Sequence, residues 1–205
     1  MNNKILLTGG SGLLGKELQK YINCYAPSHK ELDIKKPIQE DINVHVVIHC
    51  AAYTDVAKAE KEKEECFKTN VIGTKNLVNA FPNAYFVYIS SEYVKNSVNF
   101  YSHTKKMGED IVLKKPYGDI LIIRTLFKPR PFPYEYAFFD QWTTGDYVDV
   151  IAPIIVTHIL NHERGIIDVG TGRKTMFQLA HQTKPNIKGI SVDDVKDVLL
   201  PKDYQ

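Results

Sequence analysis

The stretch "KILLTGGSGLLGKEL" constrains this chain more than any other. An apolar run, Ile5 to Leu7, ends in a cluster of glycines, and Leu13, Leu14 and Leu18 follow at helical spacing. It reads as a strand, a tight turn and a helix. Gly9, Gly12 and Gly15 give a G-x-x-G-x-x-G spacing, and Gly10, Gly12 and Gly15 also satisfy G-x-G-x-x-G. In either frame one glycine makes the turn, another lets backbone approach a pyrophosphate, and the third lets helix and strand pack closely. The N–H groups and the positive dipole end at the helix mouth, around Leu13 and Leu14, then face the anion.

The segments "VHVVIHCAA", "AYFVYISS" and "DILIIRT" are nearly continuous apolar runs, the pattern of parallel strands buried on both faces. Between them lie "DVAKAEKEKEECFKTNVIGTKNLVNAF", helical and broken near Gly73, and a helix starting near Tyr101. Strands alternating with helices imply an α/β fold, a Rossmann-like doubly wound parallel sheet with a small C-terminal substrate lobe. Residues 1–126 are expected to form the dinucleotide-binding core, and 127–205 the lobe and C-terminal elements of the same compact domain. A chain of 205 residues suffices for this.

A net charge of +2 offers no basic excess to neutralise phosphates, so a nucleic-acid partner is not expected. No apolar run is long enough for a bilayer span, and the N-terminus lacks the apolar core of a signal peptide. Cys24, Cys50 and Cys66 show no metal-ligand spacing and read as reduced thiols of a cytoplasmic protein. His158 and His162 stand at i and i+4 without a third ligand nearby, and read as a helix surface. His45 and His49 read as satisfied polar residues in a strand, and "AEKEKEE" as a solvated helix face.

A dinucleotide site of this kind usually has an acidic residue at the end of the second strand. Here "YAPSHKELD" offers no carboxylate until Glu31, whereas Ser28 and His29 suit a 2′-phosphate. NADP(H) is expected over NAD(H), which stays possible. In "FYSHTKKMGED", Tyr101 and Lys105 lie one turn apart on one helical face. That spacing suits a lysine holding down a phenol pKa. With 12 tyrosines in the chain, one such pair arises by chance, so its context must decide. Ser91, ending an apolar strand just upstream, supplies that context.

Taken in order, "ILLTGGSGLLGKEL", "ELDI", "VIHCAAYTDVAKAE", "TNVIGTKNL", "YISSEYV", "YSHTKKMGE" and "IIRT" resemble the extended short-chain dehydrogenase/reductase family. Within it the likeness is to the dTDP-4-dehydrorhamnose reductase group, over roughly the first 125 residues. The resemblance implies roles. Ser91 would hold the substrate carbonyl, Tyr101 would be the general acid, and Lys105 would bind the nicotinamide ribose and favour tyrosinate. Ala51, Ala52 and Tyr53 would line the cofactor, Asn70 would support this site, and Asp33 would lie near the adenine. Glu92 and Tyr93 would meet the substrate.

The implied function is NADPH-dependent reduction of a 4-keto-6-deoxy sugar nucleotide in deoxysugar synthesis, with a homodimer as a candidate assembly. Ketone reduction needs a hydride on carbon and a proton on oxygen. A free phenol near pKa 10 profits from a close ammonium, and a serine hydroxyl can steady the developing alkoxide. A sugar-nucleotide epimerase or dehydratase, and a non-catalytic dinucleotide-binding regulatory module, are the alternatives. A single carboxylate in Ser91-Glu92-Tyr93 suits two-group elimination poorly.

Two departures from the family pattern matter. Only "YVKNSVNF" separates Glu92 from Tyr101, and the chain ends at "LPKDYQ" where relatives continue, so a minimal substrate lobe is expected. The segment "LFKPRPFPYEYAFFDQW" carries Pro129, Pro131 and Pro133, which favour an extended path, followed by dense aromatics. It is expected to be either lobe packing, a docking surface for another protein, or a substrate loop in which an aromatic stacks on the base and Arg130 faces the diphosphate.

Overall fold

The structure, a computed structural model, describes residues 4–39 and 43–204. Five strands form one parallel sheet: β1 (Lys4–Thr8), β2 (Val44–His49), β3 (Tyr85–Ile89), β4 (Ile120–Arg124) and a later strand, Gly165–Asp168, in the order they are named. Alternation along each strand sends neighbours to opposite faces. Leu7, Ile48, Val87, Leu121 and Ile123 enter one core layer, while Leu6, Val47, Phe86, Tyr88 and Ile122 enter the other. Two covered faces explain why these runs read as continuously apolar.

The first layer is completed by α1 (Leu13–Leu18), through Leu14 and Leu18, and by a later helix, Val148–Leu160, through Ile151 and Ile155. The second layer holds a run of helix built from α2 (Val56–Ala59), α3 (Lys63–Phe67), a wide π-type turn at Lys68–Ile72, and α4 (Gly73–Ala80). It also holds α5 (Phe100–Leu113). The break expected near Gly73 is therefore not a break. The helix widens by one residue just before Gly73, and a Cβ there would lie 2.7 Å from Ile34 Cδ1, which fixes glycine by close approach.

The second strand expected after α1 is reduced to a single parallel bridge. The Leu7 N–H donates to the Tyr25 carbonyl and the Tyr25 N–H to the Ile5 carbonyl, both at 2.8 Å, and Pro27 follows two residues later. Proline brings no N–H to a ladder, so pairing does not extend.

Residues 127–204 do not stand apart as one block. The helix Val148–Leu160 is α6, and Gly165–Asp168 returns to the sheet edge as its fifth strand. The remainder builds three short strand pairs around their own core. These are β5 (Phe127–Lys128) with β8 (Asp146–Tyr147), β6 (Tyr136–Phe138) with β11 (Lys188–Ile190), and β7 (Trp142–Thr143) with β10 (Lys174–Thr175). Counted in chain order, the edge strand Gly165–Asp168 is β9. Phe132, Tyr147, Met176 and, from α7 (Met176–His181), Leu179 fill this second core.

Residues 199–204 then cross back to α5 and the lobe. Asn99 Nδ2 donates to the Leu199 carbonyl, and the Trp142 N–H donates to the Lys202 carbonyl. Tyr204 stacks on Tyr93 with ring centroids 4.7 Å apart.

Candidate active site

The carboxyl ends of β1 to β4 open into one cavity of about 650 Å³. Its floor is the glycine loop. Gly9 has φ +74°, a conformation that disfavours a side chain, and a Cβ there would lie 2.6 Å from the Ala51 backbone N. A Cβ on Gly15 would run into the Gly9 carbonyl oxygen. Gln19 Nε2 donates to the Gly10 carbonyl at 2.7 Å and to the Gly15 carbonyl at 3.0 Å, so the chain's own contacts set the loop shape. Gly12 caps α1 without a side-chain acceptor, leaving the first helical N–H groups to a ligand. A bare backbone cradle at the end of the first strand suits a dinucleotide diphosphate, and the residues present fit that group.

A buried polar chain holds the next wall. Thr74 Oγ1 donates to the Asn70 carbonyl at 2.7 Å, so the His49 Nε2–H donates to Thr74 at 3.0 Å and Nδ1 accepts from Thr8 Oγ1 at 2.8 Å. Burial, aided by the Lys105 charge, pulls the His49 pKa to about 3, which keeps the ring neutral. His49 is thus a satisfied core histidine. Asn70 sits in the π-type turn and pairs with the backbone of Tyr53 in both directions: the Tyr53 N–H donates to Oδ1 at 2.8 Å, and Nδ2 donates to the Tyr53 carbonyl at 3.2 Å. Nδ2 also donates to Thr104 Oγ1 at 3.0 Å, which ties this strand-end loop to α5.

The three residues expected to be catalytic all face the cavity. Ser91 follows β3 and caps the short 3₁₀ turn Glu92–Asn96, accepting from the Tyr93 N–H at 3.2 Å. Asn99 and Ser102 form a reciprocal cap on α5, placing Tyr101 in its first turn and Lys105 one turn on. Burial pushes the Tyr101 phenol up to about 12, partly offset by a hydrogen bond with Ser91. Lys105 Nζ donates to the Ile89 carbonyl at 2.7 Å and lies 4.2 Å from the Tyr88 ring centroid. Burial pulls its pKa down to about 7. Without a ligand, then, the lysine does not hold the phenol down; Tyr101 is an intact acid and Lys105 a labile cation.

A clamp that the sequence reading missed supports this set. Glu109, one turn beyond Lys105 on α5, is fully buried and receives Arg124 Nε at 2.9 Å, Arg124 Nη2 at 2.7 Å and Ser90 Oγ at 2.7 Å. Burial alone would raise the Glu109 carboxyl, but the Arg124 and Ser90 hydrogen bonds with the Arg124 charge hold it below the usual value.

The structure brings Gly9, Gly12, Leu13, Leu14, Gly15, His29, Asp33, Ala51, Ala52 and Tyr93 to the cavity wall. It does not bring five others. The Ser28 N–H donates to Glu31 Oε2 at 2.8 Å within a surface turn, and Lys35 takes a place on the wall instead. Tyr53 OH turns away to Glu62 Oε2 at 2.6 Å, and Asn70 acts behind the wall. Glu92 is buried and spent: Thr143 Oγ1 and Thr144 Oγ1 each donate to it at 2.6 Å, so it staples the lobe to the core. Arg130 lies over the Tyr147 ring at 4.2 Å and pairs with Asp149 at 3.0 Å, off the cavity. Thr125, Lys128 and Tyr134 line the wall where Arg130 was expected.

Residues 3–130 match the family model described as the RmlD substrate binding domain. The chain belongs to this family. Among RmlD-type relatives, a dTDP-4-dehydrorhamnose reductase of Mycolicibacterium smegmatis is 33% identical over 156 residues, covering 63% of this chain and 47% of that protein. Methionine adenosyltransferase 2 subunit beta of Xenopus tropicalis is 28% identical over 187 residues, covering 68% of this chain and 56% of that protein. The chain thus spans about half the length of the curated relatives it matches. The crystal structure of dTDP-4-dehydrorhamnose reductase from Bacillus anthracis in complex with NADP superposes with a TM-score of 0.86 at 27% identity, covering 100% of this chain and 90% of that one.

Among the described residues no helix is long and apolar enough to cross a membrane, and no group of three His, Cys, Asp or Glu is placed to hold a metal ion. His158 pairs with Glu163 at 2.7 Å and His162 with Asp119 at 3.0 Å.

Proposed function

We propose that the protein is an NADP(H)-dependent reductase of a 4-keto-6-deoxy sugar nucleotide. The observation that carries this reading is one cavity with a bare glycine cradle at one end and a buried Ser91, Tyr101 and Lys105 at the other. The reductase relatives and the NADP-complexed neighbour support it.

The glycine loop would hold the cofactor diphosphate, His29, Asp33 and Lys35 would flank its adenosine end, and the wall from Ala51 to Ser91 would receive the nicotinamide half. The cofactor, when bound, supplies the hydride. The Ser91 hydroxyl orients the substrate carbonyl by donating to its oxygen and steadies the charge that develops there. Tyr101, kept protonated by burial, gives its phenolic proton to that oxygen. The Lys105 ammonium, on the same helical face, stabilises the resulting phenolate until water returns the proton.

An elimination chemistry is disfavoured, because Glu92, the carboxylate that follows Ser91, is already held by two threonine hydroxyls. The similarity to a subunit of methionine adenosyltransferase favours one second reading, a dinucleotide-binding accessory subunit. NADPH oxidation by the purified protein with a panel of dTDP- and UDP-4-keto-6-deoxy sugars decides between them. The reductase reading expects turnover that Tyr101→Phe lowers by at least ~100-fold, the scale of a lost general acid. NADPH binding with no turnover on any sugar would move the assignment to the accessory subunit.

A further inference from the structure

The cavity has a second polar end, away from the glycine loop, built from the chain that follows β4. Thr125, 3% exposed, belongs to this wall, and its carbonyl accepts from the Glu92 N–H at 3.2 Å, next to Ser91 in the chain.

Three residues on, Lys128 lines the same wall. Its Nζ lies over the face of Tyr134, 5.1 Å from the ring centroid. The other lysines of the cavity are engaged: Lys35 with Glu65 at 2.7 Å, and Lys105 with the Ile89 carbonyl. Among the described residues the Lys128 ammonium has no ion-pair partner within 4.0 Å and no hydrogen bond, and burial alone pulls its pKa to about 8. A half-buried cation held over an aromatic ring with no counter-charge is prepared for an anion.

The glycine loop follows β1, three strands from β4 in the sheet, and already provides the cradle for the cofactor diphosphate, which leaves Lys128 for a different anion. Between Thr125 and Lys128 the chain can extend at most roughly 10 Å, so an anion at Lys128 stays within short reach of the strand end that adjoins Ser91. Resting on the reductase reading, we propose that Lys128 binds the diphosphate of the sugar nucleotide, with Tyr134 beside it. This gives Lys128 the role that the sequence pattern assigns to Arg130, whose guanidinium is committed to Asp149 and Tyr147.

The experiment is titration calorimetry of the full chain with UDP, dTDP and, separately, NADPH, for the wild type, Lys128→Met, Lys128→Arg and Arg130→Ala. Losing a charge-assisted contact predicts that Lys128→Met weakens nucleoside-diphosphate binding by about ten- to a hundredfold. NADPH affinity should hold within about twofold, which also shows that the variant is folded. Lys128→Arg should keep most of the affinity, and Arg130→Ala all of it. Unchanged UDP and dTDP binding in Lys128→Met would overturn the inference, as would a parallel loss of NADPH, which would place Lys128 on the cofactor. Wild-type turnover on a keto sugar alongside either result leaves the reductase reading standing. A wild type that binds neither nucleoside diphosphate and turns over no sugar sinks both.

Discussion

Lys105 makes the stability of the folded protein depend on pH in a direction unusual for a lysine. Its pKa falls from 10.5 to about 7 because folding removes the ammonium from water, against one carbonyl and one aromatic face in return. Between pH 7 and 10.5 the unfolded chain therefore carries the extra proton, and stability rises as pH rises through that window. At about 1.4 kcal/mol per pH unit of separation, integration from pH 7.0 to 8.5 gives a gain of about 2 kcal/mol from this residue. Lys128 titrates in the same window and with the same sign, so Lys105 must be isolated by difference. Urea unfolding of the wild type and of Lys105→Met at both pH values does this. The variant leaves the Ile89 carbonyl unpaired, a cost that does not change with pH. The wild type should gain about 2 kcal/mol more than the variant between pH 7.0 and 8.5. Equal gains would mean that the folded protein solvates this ammonium normally, and the argument for a labile cation beside Tyr101 would be wrong.

Two further outcomes follow from the packing. Glu109→Ala leaves Arg124 without its buried partner; with Arg124 partly exposed, the loss should be about 2–4 kcal/mol in urea unfolding, and a wild-type midpoint would show the clamp to be idle. Gly15→Ala drives a methyl group into the Gly9 carbonyl, so NADPH affinity in calorimetry should fall at least ~10-fold; unchanged affinity would mean that the loop has slack.

What the sequence made legible is what repeats or punctuates. The doubled alternation of "VHVVIH" and "YFVYI" shows a sheet covered on both faces, and the spacing of Gly9, Gly12 and Gly15 shows the turn. Tyr101 and Lys105 were findable because four residues make one helical turn and Ser91 closes the strand before them. The destination of a side chain set by distant chain was not legible. Glu92 is taken by Thr143 and Thr144, about fifty residues away, and Arg130 by Asp149, and neither partner lies within any local pattern. The same holds for Tyr101. Helical spacing places the lysine nearby, but burial decides the sign of the phenol's shift, and the ammonium turns to Ile89. The short second strand failed for a local reason that was visible, Pro27, whose effect depended on where pairing would have to continue.

The wide turn at Lys68–Ile72 puts the helix out of phase with itself. An α-helix turns about 100° per residue, so the extra residue is what lets the two halves face different partners. Before it, Cys66 looks toward Thr104; after it, Gly73 meets Ile34 and Thr74 meets His49. Loss of one residue there would restore a regular helix and swing everything beyond it by that angle, parting Thr74 from the histidine and pressing a side chain against Ile34. A one-residue deletion, often harmless in a surface loop, is here a rotation of half the helix away from the polar chain that backs one wall of the site.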